Sequence, residues 1–396
     1  MGKGTIDPFL FRISEVKTPR RIVFGTNSLE RICDEASLLI DPTRTLVITD
    51  NVISKMSVVD RASKALEHGG YKVSVFDKVE PEPKLETIEA AVDVARSRSF
   101  GLVIGIGGGS VMDTAKIVSA GLTNPGDIRQ YIGPYLIKKR GAPIICVPTT
   151  SGTGSEVTLY SIVTMGAVKK ACVSPHIIPD TALVDPMLAK TMPPSLTAGS
   201  GMDALSHAVE SLLSTESTPF TDALAYLAIK FIFKYLKLAY HNPNDMEARH
   251  YMAYASTIAG ISLCNAKVVA GHSISQTFAA IYKVPHGVST GMTLPYVMKF
   301  YAPVSAAKLA QMSREISLNV DGLSDEEAAI RAIQKTKELA DEVGMPKSLK
   351  DIGVQEEDLP SMARDSVLNW PRPNSPIELN GNNVLEILNW MWKGRL

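Results

Sequence analysis

Between residues 20 and 185, short apolar runs alternate with helical patterns, and this alternation constrains the fold more than any other feature. Five runs have the length and β-branched content of strands: RIVFG (21–25), TLVITD (45–50), KVSVFD (72–77), FGLVIGIG (100–107) and APIICVP (142–148). The stretches 58–70 and 85–98 carry apolar residues at three- and four-residue spacing, which is typical of helices. This order predicts an α/β domain whose parallel sheet is covered on both faces.

The character of the chain changes at Pro193 and Pro194, because two adjacent prolines do not fit inside a helix. Strand signals nearly vanish beyond them, and long helical patterns follow at 196–213, 218–240, 245–264 and 323–343. We therefore expect an α/β domain over residues 1–193 and an all-α domain over residues 194–396. A ligand cleft between them is the default expectation.

The amino-acid composition limits the classes of binding partner and indicates the cellular compartment. The chain has 41 basic and 41 acidic residues, so its zero net charge gives no reason to expect nucleic acid or an anionic membrane as a partner. No run of 18 apolar residues occurs, and the N-terminal segment lacks the long apolar stretch of a secretory signal. The four cysteines are widely spaced, which favours buried thiols in a reduced, cytoplasmic protein over a disulfide framework.

A glycine-rich segment follows the fourth apolar run. Gly107, Gly108 and Gly109 precede Ser110, and a helical pattern begins at once. Backbone N–H groups at such a helix start can bind a pyrophosphate, although a tight turn without a ligand is the alternative. We expect Gly108 to approach the pyrophosphate closely, in a backbone conformation that favours glycine, and Ser110 and Asp113 to form a box-like helix cap. The usual third glycine and downstream acid of dinucleotide-binding loops are absent.

Two further segments suit a nucleotide. Asp50 ends the second apolar run, where its carboxylate could accept the ribose hydroxyls of NAD and repel the extra phosphate of NADP. A turn or helix-cap role is the alternative for Asp50. The segment VPTTSGTGSEVTLY (147–160) is rich in small hydroxyl residues that suit contacts to a polar ligand, although a solvated turn has the same composition.

A candidate metal site comes from the second half of the chain. Asp203 and His207 are four residues apart in GMDALSHAVE (201–210), so on a helix they project from one face. His272 and His286 could complete a set of one carboxylate and three imidazoles for zinc, ferrous iron, manganese, cobalt or nickel. The alternative is a helix-surface pair and two unrelated core histidines.

In combination, these segments resemble the iron-containing (group III) alcohol dehydrogenase family. The resemblance rests on GGGSVMDTAK (107–116), VPTTSGTGSE (147–156), GMDALSHAVE (201–210) and His272 with His286 in VPHG, in the family's order. The early RIVFG run and WPRP (370–373) also fit. The resemblance implies a dinucleotide-binding α/β domain with a helical metal-binding domain, an architecture shared with dehydroquinate synthase.

The resemblance also implies roles for individual residues. It makes Asp203, His207, His272 and His286 the ligands of a divalent metal, with iron favoured and zinc or manganese as alternatives. It implies a cofactor cleft for NAD(H), favoured over NADP(H). Its residues would be Asp50 at the ribose, Gly107, Gly108, Gly109 and Ser110 at the pyrophosphate, and Thr149, Thr150, Thr158, Tyr160, Lys169 and Leu188 along the cleft.

Two positions depart from the family pattern. Many members have a histidine where this chain has Gln276, one helical turn after His272 and on the same face, so substrate contacts or proton transfer are expected to differ. Glu82 replaces an asparagine that often contacts the cofactor.

The expected activity is hydride transfer between a nicotinamide and a small alcohol or aldehyde, assisted by a Lewis-acidic metal, in a homodimer or larger homo-oligomer. A hydroxyl group, Gln276 through water or the cofactor ribose could relay the proton. A dehydroquinate-synthase-like lyase would need a basic cluster near the metal, and none is evident around 203–207 or 272–286. A non-catalytic nucleotide-binding module would have no use for an open metal site.

Overall fold

The first half of the chain forms a parallel sheet with helices on both faces. The computed structural model describes residues 13–166 and 168–396, so most of the N-terminal segment considered for a secretory signal lies outside the described residues. The strands are β1 (Arg21–Phe24), β2 (Arg44–Asp50), β3 (Lys72–Val79), β4 (Leu102–Gly107), β5 (Ile144–Pro148), β6 (Tyr160–Met165), β7 (Val168–Val173) and β8 (Thr181–Val184). Six of them pair in the order β1-β8-β5-β4-β2-β3, and every pair is parallel.

Two apolar clusters cover the faces of this sheet and explain why its central strands read as continuous apolar runs. Every residue of β4 and β5 is buried. Leu46 and Val103 pack on one side of the sheet, and Val47 and Ile104 pack on the other. The covering helices are α1 (Ile32–Ser37), α2 (Ser57–His68), α3 (Leu85–Ser97) and α4 (Gly109–Thr123). The predicted α/β fold of this half is confirmed.

Strands β6 and β7 form a separate antiparallel hairpin that the sequence patterns did not indicate. The hairpin docks on the loop between β3 and α3, where the N–H of Thr164 donates to the carbonyl of Pro83 at 2.9 Å. It therefore lies at the carboxyl end of the sheet, above the helix start at Gly109.

The second half is helical, as expected. Its helices are α5 (Pro194–Leu213), α6 (Pro219–His241), α7 (Met246–Ala266), α8 (Ala270–Tyr282), α9 (His286–Glu315), α10 (Asp325–Glu342), α11 (Leu359–Asn369) and α12 (Gly381–Lys393). Pro194 is the first residue of α5. Proline fits this position because a backbone N–H in the first turn of a helix has no acceptor within the helix. Helix α5 is buried along nearly its whole length and packs against α6, α7 and α9. Within the described ranges, no helix has the length and apolar character needed to cross a membrane.

All four thiols are free. Cys146, Cys172 and Cys264 are buried, whereas Cys33 is half-buried under Gly69. Burial raises the pKa of Cys146 and of Cys172 to about 12, and that of Cys264 to about 11. These three sulfurs therefore stay protonated at neutral pH.

Candidate metal centre and cofactor cleft

Three helices bring the predicted metal ligands together. Asp203 and His207 lie one turn apart on the buried helix α5, as the spacing predicts. His272 lies in the first turn of α8, and His286 is the first residue of α9. The Nε2 atoms of His207, His272 and His286 lie 3.7, 3.8 and 3.6 Å from Oδ1 of Asp203.

These spacings suit ligands that surround one ion. Atoms that bind a metal tetrahedrally at about 2.1 Å lie about 3.4 Å from one another, so the observed set is slightly wider than a closed shell. Asp203, His207 and His272 could hold a metal ion, since their ligand atoms all lie within 4.8 Å of one another. His286 lies beside these three residues, with its Nε2 close to Oδ1 of Asp203. The hydroxyl of Thr290 donates to that same oxygen at 2.9 Å and so fixes the carboxylate.

Glu210 was missed by the sequence analysis, although it ends the GMDALSHAVE motif. Its Oε1 lies 2.6 Å from Nδ1 of His272, and its Oε2 accepts the N–H of Val269 at 2.8 Å. A carboxylate oxygen that accepts at Nδ1 places the ring proton there and leaves a lone pair on Nε2. Nε2 is buried without a hydrogen-bond partner among the described residues. A lone pair directed at a carboxylate oxygen is repulsive unless a cation lies between them, so this donor set fits a metal.

The charge states of the cluster agree with that fit. Burial lowers the pKa of His207. Burial, together with the nearby His272 and Lys169, lowers the pKa of His286 to about 4. The pKa of Asp203 is also lowered, because the surrounding imidazoles outweigh the opposing effect of burial. At neutral pH the cluster therefore offers the Asp203 carboxylate and the neutral imidazoles of His207 and His286, which are the forms that bind metals.

Gln276 lies one turn after His272 on α8, on the same face, as the sequence analysis expected. The residue is buried, and its Oε1 has no hydrogen-bond partner among the residues that the structure describes. This oxygen is thus free to accept a hydrogen bond from a ligand beside the metal cluster.

The glycine loop joins β4 to α4, but its steric demands differ from those expected. Gly108 has a φ of −77°, which any residue can adopt, and a Cβ added there would meet Thr150 only at 3.6 Å. The expected special backbone conformation at Gly108 is therefore wrong. Gly107 and Gly109 are the crowded positions, since an added Cβ would lie 2.6 Å from Val111 and 2.9 Å from Thr153. An added Cβ at Gly108 would make only ordinary van der Waals contact with Thr150, so the loop is least crowded at this position, at the start of α4.

The expected helix cap of Ser110 and Asp113 is also wrong. Gly108 occupies the cap position of α4, and the Ser110 hydroxyl accepts the N–H of Glu82 at 3.1 Å. Asp113 points into the interior, where it accepts from the Ser155 hydroxyl at 2.6 Å and from the Ile162 N–H at 2.9 Å. Its hydrogen-bond partners lie more than 40 positions away, so no local pattern could have revealed them.

Lys116 completes a buried polar network behind the glycine loop. Its Nζ donates to Ser155 Oγ at 2.8 Å, to Thr158 Oγ1 at 3.2 Å and to the carbonyl of Tyr160 at 2.8 Å. It also lies 3.9 Å from Asp113 Oδ1. The network ties α4 to the hydroxyl-rich segment 147–160, which is thus a packed part of the domain and not a solvated turn.

The predicted cofactor residues of this segment differ in their surroundings. The Thr149 N–H donates to the carbonyl of Gly107 at 3.0 Å, which joins the two loops. Thr150 Oγ1 is buried with no hydrogen-bond partner in the described part of the chain, whereas Thr158 and Tyr160 contact Lys116. Leu188 is half-buried in a short helical turn after β8 and packs on the sheet.

Asp50 ends β2, next to β4 in the sheet. Its Oδ1 accepts the N–H groups of Val52 and Ile53, both at 2.8 Å, so the turn role proposed as the alternative is real. The second carboxylate oxygen of Asp50, Oδ2, accepts neither of these two hydrogen bonds.

Glu82 and Lys169 form an ion pair with each other. Glu82 lies in the loop between β3 and α3, and Lys169 lies on β7. Because Glu82 also contacts Ser110, this pair lies at the glycine loop.

Comparison with known proteins agrees with this arrangement. The family model for iron-containing alcohol dehydrogenase matches residues 19–186. The model for the C-terminal part of the Fe-containing alcohol dehydrogenase family matches residues 197–392. The chain belongs to the iron-containing alcohol dehydrogenase family.

Individual relatives of this alcohol dehydrogenase match along nearly its whole length. Long-chain-alcohol dehydrogenase 1 of Geobacillus thermodenitrificans is 37% identical over 356 residues, which covers 88% of this chain and 90% of the relative. The NAD-dependent methanol dehydrogenase of Bacillus methanolicus is 35% identical over 325 residues, which covers 82% of this chain and 85% of the relative. The crystal structure of 1,3-propanediol oxidoreductase superposes with a TM-score of 0.93 at 33% identity, over 96% of this chain and 100% of that chain.

These matches establish the class of reaction. The protein is an oxidoreductase that acts on CH–OH groups and transfers hydride between alcohols and aldehydes and a nicotinamide. The lyase and the non-catalytic nucleotide-binding module find no support among these relatives, which are named as dehydrogenases and an oxidoreductase.

Proposed function

We propose that this protein is an NAD-linked dehydrogenase whose divalent metal is held by Asp203, His207, His272 and His286. The observation that carries the proposal concerns the His272 Nε2 atom, which is buried without a hydrogen-bond partner among the described residues and lies 3.8 Å from Asp203 Oδ1. Three imidazoles and one carboxylate oxygen suit ferrous iron, with zinc and manganese as alternatives.

When bound, the metal supplies Lewis acidity toward the alcohol or carbonyl oxygen, and the nicotinamide accepts or donates the hydride. The chain's own residues orient these groups. Glu210 and Thr290 fix the ligands His272 and Asp203. Through Oε1, which has no hydrogen-bond partner among the described residues, Gln276 would orient the substrate hydroxyl or a water that carries the proton away.

The cofactor would lie along the carboxyl end of the sheet. The start of α4 at Gly109 and Ser110 would offer its N–H groups to the pyrophosphate, and the missing side chain at Gly108 would let it approach the backbone. Thr150 faces Gly108, and its hydroxyl has no hydrogen-bond partner among the described residues. We assign Asp50 to the adenosine ribose, because its second oxygen remains beyond the turn that it stabilises. A carboxylate there disfavours the extra phosphate of NADP and favours NAD.

We also propose that the two domains meet at residues 193 and 194. Support comes from Pro194, which begins α5, and from the two family models, which end at 186 and begin at 197. A cytoplasmic homodimer or larger homo-oligomer is proposed on the family resemblance and the four free cysteines. Light scattering after gel filtration measures the oligomeric state directly.

The test is reconstitution of the metal-free protein. Metal is removed with a chelator, and ferrous iron, zinc or manganese is returned separately under anaerobic conditions. NADH formation is then followed with alcohols of increasing chain length, including methanol, 1,3-propanediol and a long-chain alcohol. We expect no turnover without metal, the highest turnover with ferrous iron, and lower rates when NADP replaces NAD.

Two outcomes would contradict the proposal. Full activity in the metal-free protein would remove the metal from the mechanism. Turnover of NAD that needs no alcohol and produces no net NADH would point to lyase chemistry. The same panel, run in the reverse direction with aldehydes, identifies the preferred substrate.

A further inference from the structure

Glu82 has an unusual backbone conformation in the loop between β3 and α3. Its φ is 56°, in the left-handed region that glycine and asparagine adopt readily and that other residues rarely adopt. Residues held in this region persist only where several contacts hold them in place, and such residues cluster at functional sites. The conformation therefore directs attention to what holds Glu82.

Three neighbours hold this residue. Its N–H donates to Ser110 Oγ at 3.1 Å, and its carbonyl accepts from Thr164 Oγ1 at 3.1 Å. Its carboxylate pairs with the Lys169 ammonium. Thr164 and Lys169 are paired directly opposite each other in the β6–β7 hairpin. The backbone carbonyl and the side chain of Glu82 therefore bind two members of one cross-strand pair. We call the Glu82–Lys169 ion pair with its Ser110 and Thr164 contacts the clasp.

The clasp lies at the pyrophosphate end of the proposed cofactor site. Ser110 belongs to the helix start assigned to the pyrophosphate, and its hydroxyl accepts the N–H of Glu82. The hairpin that docks on the Glu82 loop therefore holds the Lys169 ammonium beside this helix start. The Lys169 side chain is 9% exposed, whereas the Glu82 side chain is 49% exposed. Lys169 is therefore a largely enclosed cation, and the more exposed Glu82 neutralises it from the solvent side.

We propose that Glu82 sets the affinity and release rate of the cofactor by competing with it for Lys169. This inference rests on the proposed cofactor cleft. Binding of NAD(H) exchanges the Glu82 carboxylate for cofactor oxygen atoms at Lys169, and the loss of the Glu82–Lys169 ion pair weakens the bound state. Release reverses the exchange, because Glu82 returns to Lys169 as the cofactor departs.

The test is the binding of NADH to the holoenzyme without substrate. Glu82→Gln removes the charge and keeps the size of the side chain. We expect its dissociation constant for NADH, measured by fluorescence titration, to fall about threefold to tenfold, as for the loss of one partly exposed ion-pair competitor. The dissociation rate, measured by stopped-flow displacement, should fall by a similar factor. Glu86→Gln is the matched control, since Glu86 is exposed four residues farther on, in the first turn of α3.

A second variant separates competition from a structural effect. In Lys169→Met the contested cation is gone, so adding Glu82→Gln should change NADH affinity much less than it does with Lys169 present. Unchanged or weaker NADH binding by Glu82→Gln would overturn the clasp as a determinant of affinity. Failure of every variant and of the wild-type protein to bind NADH would overturn the proposed function, and the clasp with it.

Discussion

The Nδ1 atom of His272 lies 2.6 Å from Oε1 of Glu210, in a pair that is buried on both sides. This contact orients the imidazole and strengthens its Nε2 as a donor to a metal. Removal of Glu210 should therefore weaken metal binding although Glu210 is not itself a predicted ligand.

We expect Glu210→Leu to lower metal affinity by about 10- to 100-fold, the usual effect of removing a residue that orients a metal ligand. Competition against a chromophoric chelator measures this affinity without reference to turnover. Glu210→Gln is the conservative control, because its amide oxygen can still accept the Nδ1 proton, and it should retain most of the affinity. Equal affinity in the wild type and in Glu210→Leu would show that His272 needs no such support.

His272→Ala should lose metal and activity together, since it removes one imidazole from the cluster around Asp203. Gln276→Ala, one turn farther along the same helix, should keep near-normal metal content and change rate or substrate preference. Elemental analysis of the purified variants measures the metal content. If Gln276→Ala stripped the metal, the predicted ligand set would be wrong.

The glycine loop offers a pair of substitutions with opposite consequences. Gly108→Ala adds a methyl group that meets only Thr150, at 3.6 Å, so Tm should stay near the wild-type value. The same methyl group occupies the space assigned to the pyrophosphate, and the dissociation constant for NADH should rise about tenfold or more. Gly107→Ala should instead lower Tm, because its Cβ would lie 2.6 Å from Val111. Calorimetry and NADH titration on both variants separate the two effects, and normal NADH binding by Gly108→Ala would place the pyrophosphate elsewhere.

Lys116→Met breaks the buried network behind the loop and leaves Asp113 without its cation. Loss of one partner of a buried pair typically costs about 3–5 kcal/mol, so the free energy of unfolding in urea should fall by about that amount. The double variant Asp113→Asn, Lys116→Met should be more stable than Lys116→Met alone, since it no longer buries an unpaired carboxylate. A neutral effect of Lys116→Met on stability would mean that its hydrogen bonds contribute little.

The proposed role of Asp50 at the ribose predicts that cofactor preference depends on the charge of its carboxylate. Asp50→Asn keeps an oxygen for the N–H groups of Val52 and Ile53 and removes the negative charge. At about 4 Å and an effective dielectric of about 20, each pair of unit charges repels by about 4 kcal/mol, and a third of this corresponds to about tenfold. We therefore expect the ratio of kcat/KM with NADP to kcat/KM with NAD to rise about tenfold. Asp77→Asn, exposed on the neighbouring strand β3, is the control. A constant ratio would leave Asp50 with its turn role alone.

The features that could be predicted from sequence are those carried by local periodicity or by a motif. Strands β2, β4 and β5 were found because burial on both faces of a parallel sheet requires continuous apolar runs. The edge strand β3, of which only two residues are buried, was found from its β-branched and aromatic residues. The cluster around Asp203 was found because two of its members lie one turn apart on a helix and all four lie in motifs of the family.

The features that were missed depend on contacts between distant segments. The β6–β7 hairpin contains Lys169 and Lys170 among short apolar stretches, and β8 has only four residues, so neither produces a strong strand pattern. Asp113 was assigned to a local cap, whereas its partners lie on the next loop and on β6. The pairing of Glu82 with Lys169 spans 87 positions and follows from the docking of the hairpin, which no local rule anticipates.

The burial of the cysteine thiols has a consequence for how oxygen should inactivate this enzyme. Three of the four sulfurs are buried and have raised pKa values. The fourth, that of Cys33, is half-buried next to Gly69, the residue that follows α2. Thiolate is the form that oxidants attack, so oxygen has little sulfur chemistry available near the catalytic cluster. Inactivation by air would therefore report the oxidation state of the metal, and a chemical reductant together with fresh ferrous iron should restore activity where a thiol reductant alone does not.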